Sequence, residues 1–150
     1  MGESVKSMFF GSYEYSLDDK GRLTIPSKFR DEISKSLYLL KGFDGCLSVY
    51  PESEFQNYIS RLTSLEFEKE KVRLHQRILL SSVVELKVDN ANRVLIPSKT
   101  LKQYGINKDV IIVGVLDHFE IWDNEKWKKY QEMNESSFEL DAEAILKNEE

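Results

Sequence analysis

The chain has little of what most enzymes and metalloproteins need. Its one cysteine, Cys46, cannot form an intrachain disulfide, which fits a reducing cytosol. The expected role of Cys46 is a small buried core side chain, not a reactive thiol. The two histidines, His75 and His118, lie far apart with no Cys or His at ligand spacing, which argues against a metal site. No apolar run approaches the roughly 20 residues that span a bilayer, and no signal-peptide pattern is recognisable. There is no Gly-rich phosphate loop. The acidic pairs Asp18/Asp19 and Glu66/Glu68 lack a companion His, Ser or Lys in a catalytic arrangement. An enzyme would rest on scattered carboxylates alone, so no enzyme, cofactor, membrane or small-molecule substrate is expected.

Positive charge is also missing. The net charge is −5 at pH 7, which on its face argues against nucleic acid, because affinity for phosphate is mostly cationic. The distribution answers this. Residues 123–150 hold nine acids and four lysines, so residues 1–122 are neutral. The acidity sits in the tail and says little about a binding face elsewhere.

What the chain does have is a repeat. Leu17-Asp-Asp-Lys-Gly-Arg-Leu-Thr-Ile-Pro-Ser-Lys28 and Val88-Asp-Asn-Ala-Asn-Arg-Val-Leu-Ile-Pro-Ser-Lys99 share an Asp four residues before an Arg, an apolar run and Ile-Pro-Ser-Lys. Asp18/Asp89, Arg22/Arg93, Pro26/Pro97 and Lys28/Lys99 all stand 71 apart. The chain therefore reads as one unit written twice.

Local patterns extend the duplication. Tyr13, Tyr15 and Leu17 alternate with polar residues as in a half-buried strand, Asp18 to Gly21 is turn chemistry, and Arg22 to Ile25 alternates again; together these read as a hairpin. Pro26 suits the first turn of a helix carrying Phe29 and Ile33. In the second copy Val84, Leu86 and Val88 alternate, Asp89 to Asn92 turn, and Pro97 opens a helix that Gly105 can end. Apolar strands follow at 37–40 and 110–113, then 46–50 and 118–122, with an aromatic five residues on at Phe55 and Trp127. Helices close the copies near 51–65 and 123–133. Between the copies, 68–81 is helical in pattern. Residues 136–150 have acids, few apolar anchors and no cap, so a frayed helix or disorder is expected. Met1 to Ser7 is polar and patternless.

The paired Asp-x-x-x-Arg loops are the leading candidate site. An Asp before a tight turn caps backbone N–H groups and can hold an Arg across the turn, so architecture alone is one reading. The other is that the same long cation, placed twice on a loop, reads guanine edges or phosphates with its guanidinium. Gly21 and Asn92 precede the two arginines, and both tolerate a positive φ. Lys20, Lys28, Arg30 and Lys99 are candidates for phosphate contacts. Arg73 and Arg77, four apart on the middle helix, are expected to pair with Glu68, Glu70 or a neighbouring subunit. The aromatic residues are expected in the core.

On these residues the chain resembles the MraZ family, built from two AbrB-like (SpoVT-AbrB) swapped-hairpin units. The segments that carry it are Phe9 to Arg30, Asp89-Asn-Ala-Asn-Arg-Val-Leu-Ile-Pro97 and Phe119-Glu-Ile-Trp122, and the likeness spans roughly residues 8–133. It departs where the family usually has Gly before the second Arg, which here is Asn92. The resemblance implies an α+β, β-rich fold: a tandem duplicated AbrB-like swapped-hairpin barrel, an intrachain pseudo-dimer with flanking helices. The implied organisation is an extension over 1–7 with Met8 as the natural start, units over 8–66 and 83–134, a connecting helix over 67–82 and an acidic tail over 135–150. It also implies a cytoplasmic, nucleoid-associated transcriptional regulator, typically a repressor. Such a protein assembles into a ring-shaped homo-oligomer and binds short direct repeats of double-stranded promoter DNA in the division and cell-wall gene cluster. The family's DNA-binding motif falls on Asp18 and Arg22 and on Asp89 and Arg93. The rival expectation is an antitoxin-like protein-interaction module of the same superfamily, working through its C-terminal segment.

Overall fold

The computed structural model describes residues 8–149, so the expected extension over 1–7 lies outside the described residues. The first copy contributes β1 (Ser12–Ser16), β2 (Arg22–Thr24), a 3-10 helix (Ser27–Glu32), β3 (Ser36–Lys41), β4 (Leu47–Pro51) and α1 (Glu52–Thr63). After α2 (Glu70–Ser81) the second copy follows with β5 (Val84–Lys87), β6 (Arg93–Leu95), α3 (Ser98–Gln103), β7 (Asp109–Gly114), β8 (Phe119–Asp123) and α4 (Asn124–Asn134). A 3-10 turn over Glu135–Ser137 leads into α5 (Phe138–Glu149). Among the described residues no helix is long and apolar enough to cross a membrane.

Strands pair across the copies, not within the expected hairpins. Asp18 N–H does donate to Arg22 O at 3.1 Å, closing the turn. Beyond it the strands part: β1 pairs with β7 of the second copy, β5 pairs with β3 of the first, and β2 pairs with β6. The result is a six-stranded antiparallel sheet in the order β1-β7-β8-β4-β3-β5 and a separate two-stranded ribbon. Among the described residues these sheets do not close into the expected barrel. The reason is the shortness of β2 and β6, which hydrogen-bond each other and leave β1 and β5 as the sheet's edges.

The register fixes a pseudo-twofold axis. Leu23 and Val94 are equivalent at the offset of 71, and they are direct partners in the ribbon. Ser48 and Glu120, equivalent at the offset of 72, are direct partners where β4 meets β8. Each lies on the axis that relates the copies, so the chain contacts itself as an isologous dimer would.

The core follows from the alternation. Leu23, Val94, Ile25 and Ile96 point inward with Leu37, Leu39, Ile112 and Ile121. Phe9 meets Phe29 and Phe119 edge to face, with ring centroids 5.0 and 5.4 Å away, and Phe29 lies tilted against Phe119 at 5.2 Å. The sheet's other face is covered once per copy: α1 and α2 close over Leu40 and Tyr50, and α4 over Ile111, Trp122 and Cys46. The thiol of Cys46 is fully buried, and burial pushes its pKa up.

Two local expectations are corrected within the chain. After Pro26 the chain makes only the 3-10 helix, because Ile33 returns to extended backbone. Arg73 donates to the backbone carbonyl of Glu68 at 2.7 Å, and Arg77 lies over the Phe67 ring; neither makes an ion pair with Glu68 or Glu70. Of the two states expected for the acidic tail, a frayed helix or disorder, Phe138–Glu149 takes the helical one as α5, whose glutamates, leucines and alanines favour it.

Candidate nucleic-acid interface

Each repeated turn is built by one carboxylate. Asp18 Oδ1 accepts from the backbone N–H of Lys20 and of Arg22, both at 2.9 Å, and Oδ2 accepts from Arg22 Nε at 2.6 Å. Asp89 does the same for Ala91 and Arg93, at 2.9 Å each, with Arg93 Nε at 3.1 Å. Gly21 at φ 84° and Asn92 at φ 59° supply the left-handed residue that such a turn requires. A Cβ at Gly21 would sit 3.0 Å from the Ile96 carbonyl.

The two turns are also tied to each other. Ile96 N–H donates to Gly21 O at 3.0 Å, and Ile25 N–H donates to Asn92 O at 2.9 Å. Arg93 Nη1 comes within 4.0 Å of Asp18 Oδ2, so the first carboxylate faces both guanidinium groups. Because Leu23 and Val94 face the core, the alternation turns Arg22, Thr24, Arg93 and Leu95 to the opposite, outer face of the ribbon. Both arginines are half-buried, and each spends its Nε–H on a carboxylate while the terminal nitrogens keep theirs for a ligand.

The hydrogen bonds hold Asp18 well below the usual carboxylate range, at about 2. The Arg22 backbone N–H acts most strongly, against the opposing effect of desolvation. Asp89 is lowered by the equivalent bond from Arg93 N–H. Both loops therefore carry fixed anions beside their cations at any ordinary pH. Their electrostatics orient the arginines more than they add positive charge.

Exposed lysines lie in the first turn and just after each turn's returning strand. Lys20, at the tip of the first turn, is exposed, and its equivalent in the second turn is Ala91. Lys99 is exposed beside Ser98, and Ser98 lines a groove of about 370 Å³ with Asp18, Lys20 and Lys108. Ser98 and Lys108 of the second copy thus stand beside the first turn. Lys28 is likewise exposed, three residues after Ile25, which bonds the second turn. Arg30 reaches back to the Ile25 carbonyl at 3.5 Å. Sequence reasoning missed three residues here. Thr24 and Leu95 were signalled by period-two alternation from the arginines, whereas Lys108 reaches the first turn only through the pairing of β7 with β1.

Comparison with known proteins agrees with this duplicated plan. A family model described as "MraZ protein, putative antitoxin-like" matches twice in tandem, over residues 8–78 and 79–148. The chain is 43% identical over 139 residues to Transcriptional regulator MraZ of Syntrophomonas wolfei subsp. wolfei, covering 93% of this chain and 97% of that protein. It is 38% identical over 138 residues to Transcriptional regulator MraZ of Mycoplasmoides gallisepticum, covering 92% and 97%. For Transcriptional regulator MraZ of Caldanaerobacter subterraneus subsp. tengcongensis the identity is 42% over 138 residues, covering 92% and 96%. With both halves matched by one family model and relatives aligned over nearly their whole length, the chain belongs to the MraZ family of transcriptional regulators, which are not enzymes.

Proposed function

We propose that the protein is a sequence-specific binder of double-stranded promoter DNA that reads bases with Arg22 and Arg93. The observation that carries this is the placement of two equivalent arginines on one outer face of a two-stranded ribbon, related by the pseudo-twofold axis and oriented by Asp18 and Asp89. A ribbon of this kind fits the major groove, and free terminal guanidinium nitrogens match the O6 and N7 acceptors of guanine. Lys20, Lys28 and Lys99 take phosphates on either side. The exchange of strands between copies supports reading 8–66 and 83–134 as two swapped-hairpin units fused into one pseudo-dimer. In the cell the protein acts in the cytoplasm at the nucleoid. As a ring-shaped homo-oligomer it represses the division and cell-wall gene cluster, including its own gene, through short direct repeats.

The test is a mobility shift on the DNA upstream of the protein's own gene. Arg22→Ala and Arg93→Ala are each expected to cost about 1–3 kcal/mol, roughly 5–150-fold in Kd. Unchanged binding by the double variant, in a protein that still assembles, overturns the assignment. A small stoichiometric protein partner with no DNA bound would favour the antitoxin-like reading instead.

A further inference from the structure

Among the exposed apolar surfaces of the described residues, two lie away from the ribbon and match each other in chemistry. One is a groove of about 320 Å³ between α2 and the turn joining β3 to β4. Its apolar walls include Phe43, Leu74 and Ile78, which are 69%, 59% and 49% exposed, and its rim carries Lys41, Lys71 and His75. The other is on α5. Phe138, Ala142, Ile145 and Leu146 follow the spacing of one helix face, and the three large side chains among them are each at least 60% exposed. At 3.6 residues per turn, Glu139 falls on one flank of that stripe and Asp141 on the other.

We propose that α5 of one copy docks, stripe first, into the α2 groove of a second copy. The inference rests on the proposed homo-oligomer and names the surfaces that build it. The complementarity is chemical and two-sided: an apolar stripe edged by carboxylates meets an apolar floor edged by lysines. Both surfaces are open in the same chain, so a second copy satisfies both at once. The contact is heterologous, since α5 on one side meets α2 on the other. Each added copy presents a fresh groove and a fresh helix, which closes a ring or extends a filament. It also gives the acidic tail a place away from DNA, with its carboxylates against Lys41 and Lys71 and not near Arg22 or Arg93.

Light scattering of the full chain without DNA tests this. Lys41→Glu with Lys71→Glu, and separately Glu139→Lys with Asp141→Lys, are each expected to raise the concentration needed for assembly at least tenfold. Combining the four in one chain should restore the assembly, with unchanged far-UV circular dichroism throughout. Wild-type mass in both double variants, or no restoration in the combined chain, overturns the docking while leaving the DNA reading intact. A wild-type chain that is monomeric at tens of micromolar overturns the docking together with the oligomer. A charge-independent check mixes an Ile78→Cys chain with an Ile145→Cys chain under mild oxidation. A disulfide-linked pair containing one of each is the expected product, and its absence from an assembled mixture overturns the docking.

Discussion

Substituting Leu23, Val94 and Leu95 in turn tests the register that places both arginines. Leu23 and Val94 are 0% and 1% exposed and face each other on the pseudo-twofold axis, while Leu95, next along β6, is 56% exposed on the outer face. Leu23→Ala removes a fully buried isobutyl group whose surroundings are two strands tied at both ends, so the site collapses poorly. The cost is about 3–4 kcal/mol, against about 2 kcal/mol for the smaller Val94→Ala. Leu95→Ala should fall within about 0.5 kcal/mol of wild type. In a chain of this size the Leu23 change corresponds to a Tm lowered by roughly 6–16 °C.

The double variant sharpens the test. Each single substitution opens the same space beside the axis, so Leu23→Ala with Val94→Ala should cost less than the two together, by about 0.5 kcal/mol or more. Urea unfolding followed by circular dichroism measures all four at one fixed chain concentration, which holds any contribution of the proposed assembly constant. A ribbon slipped by one residue would bury Leu95 and expose Leu23. Leu95→Ala as costly as Leu23→Ala, or strict additivity of the axis pair, refutes the register and the shared placement of the arginines.

Other consequences follow from single groups. Asp18 has a folded pKa of about 2, below its unfolded value, so its contribution is complete above that unfolded value and is lost as pH falls through about 2. Amide NMR signals of Lys20 and Arg22 should therefore hold their positions down to about pH 4 and shift only below it; movement between pH 7 and 5 would contradict the geometry. Gly114→Ala should destabilise by at least about 2 kcal/mol in thermal unfolding, because a Cβ there overlaps the backbone of Phe9 and Phe10 where Phe9 bridges Leu116. Cys46 should react with a neutral disulfide reagent no faster than the protein unfolds, since burial keeps its thiol protonated and covered. Rapid labelling of the native protein would show the cluster with Trp122 to be open.

Much of the local structure was legible because local chemistry determines it. Tyr13, Tyr15 and Leu17 alternate as a half-buried strand, Gly105 at φ 62° follows α3, and Asp123 caps α4 by accepting from Lys126 N–H at 3.4 Å. The Asp18 and Asp89 turns were readable from their spacing down to the bond with the arginine. Strand partners were not, because a period of two says which face a residue takes and not which strand lies beside it. Local alternation thus suggested hairpins where β1 crosses to β7 and β5 to β3. For the same reason nothing local announced that Ser98 and Lys108 of the second copy line one groove with Asp18 and Lys20 of the first. For the tail, composition left a frayed helix and disorder both open, because its residues favour a helix while Phe138, Leu140, Ile145 and Leu146 stay largely exposed.

The electrostatics of the ribbon bear on how such a protein can hold DNA at all. Each arginine stands beside a carboxylate kept ionised by its own backbone turn, so one ribbon brings little net cation to the phosphates. Non-specific affinity, which comes almost entirely from neutralised phosphates, is then low for a single chain. That weakness favours discrimination, because base contacts form a larger share of whatever binding remains. On the proposed reading the missing affinity is recovered by repetition. Several ribbons held in one assembly meet several direct repeats, and the second contact forms at the effective concentration set by the first. The duplication inside the chain supplies two arginines per ribbon, and the α5-to-α2 contact between chains would supply the ribbons.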